Sequence, residues 1–349
     1  MKRPLVVTVL GTRPEITKLS PLLPLLDKRC RHVLVHTGQH YDPALDAVFF
    51  RELKLRKPDH NLRVGSGSST HQLGLMLERL DTLFKKLRPH TVLVLGDTNS
   101  TLAGAIAAVK SGAKLVHIEA GCRSFRLDSP EEQNRRMVDH IADLHFAPDL
   151  LAAKNLQAEG IWRSVYLSGS TALEASTRML KLLEHKRRLP ARALATLHRA
   201  ENTGDKATLA KKLKLLGLAA RSCPVVFPLH PRTKKQLRLW KLPLPAGVLA
   251  VPPLGYGSFL YLLKHAPFVL TDSGGVQEEA AVARVPCLVL REETEWLRYV
   301  KEGRNFLVGE SEQKLKAALK KVPKAKRSKL QIPKSAEKIF RVLKKKRLI

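Results

Sequence analysis

Leu270-Thr271-Asp272-Ser273-Gly274-Gly275-Val276-Gln277-Glu278-Glu279 is the stretch on which the reading of this chain turns. The apolar run Phe268 to Leu270 ends in three polar residues, passes through two glycines and opens an Ala-rich segment that continues to Ala283. That order predicts a buried strand, a tight turn and the start of a helix. At a helix start the first N–H groups lack intrahelical acceptors and the dipole is positive, so the turn suits a phosphate, and Gly274 and Gly275 let it approach the backbone closely. Glu278 and Glu279 are too negative for a phosphate contact and are placed to accept hydrogen bonds from sugar hydroxyls.

Working outward, the same pattern recurs along the chain. Leu5–Leu10, Val33–Thr37, Val92–Leu95 and Leu115–Glu119 are continuous apolar runs, as expected of parallel strands covered on both faces. In the second half Ala193–Leu197, Val225–Leu229, Val248–Val251 and Cys287–Leu290 repeat the alternation with helical stretches. Ligands of such sheets sit beyond the carboxyl ends of the strands. The residues that follow each strand are therefore the candidates.

Those residues are chemically rich. The first strand leads into Gly11-Thr12-Arg13-Pro14-Glu15-Ile16-Thr17-Lys18, the second into Gly38-Gln39-His40, the third into Gly96-Asp97-Thr98-Asn99-Ser100-Thr101, and the fourth into Glu119-Ala120-Gly121-Cys122-Arg123 and then Pro130-Glu131-Glu132-Gln133-Asn134-Arg135. Asp97, Glu119 and Glu131 are expected to converge with Arg13, Lys18, Arg123 and Arg135. Proton transfer on a bound anion calls for that combination: a carboxylate held in its working state and fixed positive charge where negative charge develops. In the second half His198-Arg199 follows a strand and is placed to meet a diphosphate.

Composition bounds the alternatives. At 349 residues, with 44% apolar residues, the chain is sized for two globular domains. Domains are placed at residues 1–168, 169–330 and a helical basic tail at 331–349. Four cysteines without a paired spacing argue against a disulfide frame or zinc knuckle and fit a reducing cytoplasm. The histidines show no metal-ligand spacing, no G-x-x-x-x-G-K-[ST] loop occurs, and no run reaches the roughly 18 apolar residues of a membrane span. The net charge of +31 attracts polyanions, but no nucleic-acid motif accompanies it, so it is assigned to solubility and to steering an anionic small substrate.

Taken together, Gly11–Glu15, Gly96–Thr101, His117–Phe125, Pro130–Arg135, Leu197–Asn202 and Thr271–Glu279 closely resemble the motifs of the non-hydrolysing UDP-N-acetylglucosamine 2-epimerase family. The resemblance implies an α/β fold of GT-B type: two Rossmann-like domains with parallel sheets facing a central cleft, a C-terminal helix crossing back, and a homodimer. It implies interconversion of UDP-GlcNAc and UDP-ManNAc without a cofactor or metal, through UDP elimination to a 2-acetamidoglucal and re-addition. By motif, Asp97, Glu119, Glu131 and His198 would be catalytic. Arg13, Lys18, His40, Arg123, Arg135, Arg199, Phe259, Ser273, Gly274, Gly275 and Glu279 would bind substrate, with Phe259 against the uracil and Glu279 on the ribose. Trp296, where many members differ, looks like relatives acting on UDP-2,3-diacetamido-uronates. A GT-B glycosyltransferase is the third alternative.

Overall fold

The computed structural model describes residues 4–39, 43–183, 191–294, 296–328 and 330–349. It divides into two compact units, Met1–Ala175 together with Ile332–Ile349, and Ser176–Gln331.

The first unit is built on seven strands: β1 (Leu5–Leu10), β2 (Arg31–His36), β3 (His60–Asn61), β4 (Thr91–Leu95), β5 (Lys114–Ile118), β6 (Leu144–Ala147) and β7 (Val165–Leu167). They lie in the order β3-β2-β1-β4-β5-β6-β7, every pair parallel. Every residue of β1, β4 and β6 is buried, which explains why these strands are written as apolar runs instead of alternating ones. One apolar cluster packs on each side of the sheet: Val6, Leu10, Leu93, Leu95 and Val116 on one side, Val7, Val9, Val92, Val94 and Leu115 on the other. β3 is a two-residue strand without apolar character, and the sequence does not announce it.

The second unit carries β8 (Ala193–Thr196), β9 (Val225–Pro228), β10 (Val248–Val251), β11 (Val269–Thr271), β12 (Cys287–Val289) and β13 (Asn305–Leu307), in the order β10-β9-β8-β11-β12-β13, again all parallel. Its core gathers Leu194-flanking Ala193 and Ala195 with Leu197, Leu213, Leu216, Phe227, Leu270 and Leu288. Strand order reverses direction between β1 and β4 in the first sheet and between β8 and β11 in the second. These are the positions where a doubly wound sheet opens a crevice for ligands. Both units are Rossmann-like, the components of a GT-B chain.

The last helix, Ser335–Lys345, belongs to the first unit. Ala336, Ile339, Phe340 and Leu343 are buried in the same cluster as Leu19, Leu23 and Leu26, each large side chain contributing about 1.5–3 kcal/mol of burial. Its first turn is capped from elsewhere: the Ala336 N–H donates to Glu174 Oε2 at 2.9 Å. Beyond it, Thr91 Oγ1 donates to the Leu348 carbonyl at 2.6 Å. The approach to the helix crosses Gly169, whose φ of +84° and close neighbour both demand glycine, since an added Cβ would lie 2.2 Å from Pro333 Cγ. No helix among the described residues is long and apolar enough to cross a membrane.

Candidate active site

In the first unit the loops after β1, β4 and β5 are tied together by side chains that the local sequence pattern does not reveal. Gly11, leaving β1, sits so close to Ser100 and Thr37 that a Cβ there would lie 2.0 Å from either hydroxyl oxygen. Glu15 is buried and accepts from the Gly11 N–H at 3.0 Å, from Thr98 Oγ1 at 3.1 Å and from Thr101 Oγ1 at 3.2 Å. Burial pushes its carboxyl above the usual range, and those hydrogen bonds pull against the rise. Glu15 is thus a brace between two strand exits.

β4 and β5 are adjacent, with Leu95 opposite Ile118, so Asp97 and Glu119 leave neighbouring strands. Lys18 Nζ donates to Glu119 Oε2 at 2.6 Å. Arg135 donates through one guanidinium nitrogen to Asp97 and through the other to Glu132 Oε2 at 3.0 Å. Asn134 Nδ2 adds a bond to the Asp97 carbonyl at 2.9 Å. Asp97 and Glu119 therefore each sit beside a cation, Arg135 being shared with Glu132. Cys122 lies among them: burial raises its thiol well above the usual range, the Glu119 charge adds to that, and Lys18 and Arg135 oppose it. Glu119 has φ +66°, a left-handed backbone that costs a non-glycine residue about 1–3 kcal/mol and collects at functional sites.

Other expected residues fall elsewhere. Glu131 is exposed and accepts from Ser129 Oγ at 2.7 Å. Its neighbour Glu132 is the buried member of the pair, holding the Ser124 N–H and Oγ as well as Arg135 and Arg136. Burial alone would raise the Glu132 carboxyl, yet these partners bring it below the usual range. Arg123, expected to meet substrate, does not: its side chain is fully buried, bonded to Asp139 Oδ2 at 2.7 Å and to both oxygens of Glu159. A strand-end arginine reads as a ligand group from sequence, and here its ligands are two acids of its own unit. Arg13 lies 5.7 Å from the Phe49 ring centroid. His40 lies outside the described residues.

In the second unit the helix begins at Gly274, two residues earlier than the Ala-rich pattern suggests, with Ser273 as N-cap accepting from the Val276 N–H. Gly274 and Gly275 occupy the first turn, where backbone N–H groups have no helical acceptor. Asp272, buried at the exit of β11, organises the exit of β8: it accepts from the N–H groups of His198 and Arg199, from Asn202 Nδ2, and pairs with His198 Nδ1 at 3.1 Å. Burial pulls the Asp272 carboxyl upward, and His198 with these N–H groups overcomes it and leaves it lowered. With Nδ1 on Asp272, the half-exposed His198 ring keeps Nε2 without a partner among the described residues. The His230 ring stands 5.6 Å away. Glu201 lies between Arg199 and Arg291, at 3.9 and 3.7 Å.

Of the two acids placed on sugar hydroxyls, Glu278 is buried and not available. Glu279 is half-buried and neighbours the Tyr256 hydroxyl, which also bonds Ser176 Oγ at 3.1 Å. Phe259 is half-buried on the helix Tyr256–His265. Trp296 stacks on Tyr299, rings 5.9 Å apart at 26°. Among the described residues no group of His, Cys, Asp or Glu side chains is arranged to hold a metal ion.

Helix starts with open N–H groups and ion-paired acids thus stand at strand exits of both Rossmann-like sheets, the places where enzymes of this architecture take anionic ligands. Residues 26–344 match the family model described as UDP-N-acetylglucosamine 2-epimerase, and the chain belongs to that family of isomerases. It is 40% identical over 357 residues to the UDP-N-acetylglucosamine 2-epimerase of Methanocaldococcus jannaschii, covering 96% of this chain and 97% of that one. A crystal structure of the Methanocaldococcus jannaschii UDP-GlcNAc 2-epimerase in complex with UDP-GlcNAc and UDP is similar at a TM-score of 0.89 and 39% identity, over 99% of this chain and 100% of the other. The Pseudomonas aeruginosa UDP-2,3-diacetamido-2,3-dideoxy-D-glucuronate 2-epimerase is 39% identical over 313 residues, 87% of this chain and 88% of its own.

Proposed function

We propose that this protein inverts C2 of UDP-N-acetylglucosamine to give UDP-N-acetylmannosamine, with the first unit supplying proton chemistry and the second holding the nucleotide. The observation that carries the reading is the pair of carboxylates on adjacent strand exits, Asp97 and Glu119, each beside a fixed cation, Arg135 and Lys18. A carboxylate takes the C2 proton, the C2–H electron pair forms the C1=C2 bond, and the C1–O bond breaks with its electrons leaving on UDP. Return of UDP to C1 and of a proton to the opposite face of C2 completes the inversion. Two acids on neighbouring exits suit a reaction that removes a proton from one face and delivers it to the other. Glu131, one helical turn before Arg135, is a third candidate for proton transfer.

The leaving diphosphate needs positive groups that do not reorganise as charge develops. His198 and Arg199, anchored through Asp272, and the first-turn N–H groups of Gly274 and Gly275 behind Ser273 serve that role. Glu279 takes the ribose hydroxyls and Phe259 packs by the uracil. Arg13 contributes positive charge near the reacting sugar. A cytoplasmic homodimer is part of the same reading, drawn from the family.

Incubating the protein with UDP-GlcNAc in deuterium oxide is expected to place deuterium at C2 of both epimers, with a new anomeric signal in the proton spectrum. Unchanged protium at C2 with every UDP-N-acetylhexosamine would reject the assignment. Trp296, stacked on Tyr299, together with the likeness to the Pseudomonas aeruginosa enzyme, favours as second reading a UDP-2,3-diacetamido-uronate substrate. The same spectrum taken with that sugar nucleotide separates the two.

A further inference from the structure

One buried pair, His117 and Asp139, touches both strand exits that carry the proposed proton-transfer groups. Asp139 lies on the helix Pro130–Ile141, and His117 is the fourth residue of β5; neither side chain has any exposed surface. His117 Nδ1 meets Asp139 Oδ1 at 2.7 Å, and His117 Nε2 meets the Gly96 carbonyl at 2.8 Å. Asp139 Oδ2 accepts from the Gly121 N–H at 3.1 Å and from Arg123 at 2.7 Å. Gly96 immediately precedes Asp97, and Gly121 follows Glu119 by two residues. The ring thus fixes the end of β4, and the carboxylate fixes the turn that keeps Glu119 in its left-handed conformation.

Chemistry supports the direction of each bond. A carbonyl oxygen only accepts, so Nε2 carries a proton toward Gly96; with Asp139 ionised, Nδ1 donates as well. Burial pulls the Asp139 carboxyl upward, but the His117 and Arg123 charges outweigh it and leave it lowered. The same helix also reaches Asp97 directly, through Asn134 on its carbonyl and Arg135 on its carboxylate. The helix thus reaches the Asp97 exit by several bonds and the Gly121 turn through Asp139, while Asn155 Nδ2 donates to the Gly121 carbonyl from the other side at 3.0 Å.

We propose that His117 and Asp139 are positioning residues, a buried clasp that holds the Asp97 and Glu119 exits in fixed relation during C2 proton transfer. This rests on the assignment of Asp97 and Glu119 made above. Outer partners that orient metal ligands cost roughly 10- to 100-fold in activity when removed, and a loss of the same order is expected of this clasp.

The test compares Asp139→Asn and His117→Asn with Glu159→Gln, which breaks the outer end of the same ion network at Arg123 without touching Gly96 or Gly121. Two readouts are taken on the full chain: steady-state C2 epimerisation, and amide hydrogen exchange of peptides spanning 96–101 and 118–123. The clasp predicts that D139N and H117N lower kcat roughly 10- to 100-fold with KM for the sugar nucleotide unchanged; D139N speeds exchange in both peptides and H117N in 96–101, while E159Q does neither. If D139N does not fold, H117N carries the comparison, because it leaves the Asp139 bonds to Gly121 and Arg123 in place. Exchange in both peptides equal to the unmodified protein overturns the proposal, as does an E159Q variant that loses kcat as fully as the other two. Should the unmodified protein itself show no C2 exchange, the catalytic reading fails, and the amide-exchange comparison still decides whether the clasp holds the two exits.

Discussion

At the scale of single residues, charge pairing matters more than carboxylate count. Asp97 and Glu119 are each tied to a cation, Glu131 is exposed, and Glu132 is locked between Ser124, Arg135 and Arg136. Asp97→Asn and Glu119→Gln are expected to lower kcat by about 10²- to 10⁴-fold, the usual worth of a proton-transfer group, while UDP binds as before by calorimetry. A parallel loss of UDP affinity would mean that these acids shape the site instead of moving protons. The acids and cations that directly follow a strand were legible in the sequence, because a strand's carboxyl end is where a parallel sheet presents ligand groups. The buried anchoring roles of Asp272, Asp139, His117 and Glu132 were not, since their partners come from other elements and no local period marks them. Arg123 was misread for the same reason: its sequence neighbours identify a strand exit, but only the fold brings Asp139 and Glu159 to its guanidinium.

At the scale of elements, continuous apolar runs revealed β1, β4 and β5, because both faces of those strands are covered. β3 and β13 escaped: the first is His60–Asn61, and the second, Asn305–Leu307, is partly open on its outer residues and starts with a buried amide. The closing helix was legible by its spacing, with Ile339 and Leu343 one turn apart on the buried face. What its spacing does not state is the partner, and contact with Leu19, Leu23 and Leu26 supplies that. Leu343→Ala is expected to destabilise the first unit by about 2–5 kcal/mol, read as a lower urea midpoint for that unit with no matching change in the second. Equal shifts in both units would mean that they unfold together.

At the scale of the whole molecule, excess positive charge and buried carboxylates act in the same direction as pH falls. The Asp139, Asp272, Glu132 and Glu159 carboxyls are lowered in the fold, so the stability they contribute is present above their unfolded values of about 4 and is lost as pH drops through their folded values. Glu15 has the opposite sign: raised by burial, it favours the fold at low pH and withdraws that support as pH rises through its folded value. Four such groups stand against one, and a chain that already carries +31 repels itself further once its acids are neutralised. The melting temperature is expected to stay level from pH 8 to about 5 and to fall steeply below about 4; a melting curve insensitive to acid would remove these ion networks from the account of stability. The return of residues 332–349 to the unit that begins the chain also sets an order on the ribosome. The nascent first unit waits with the groove around Leu19, Leu23 and Leu26 uncovered until translation has passed the whole of the second, so the earliest part to be made is the last to close.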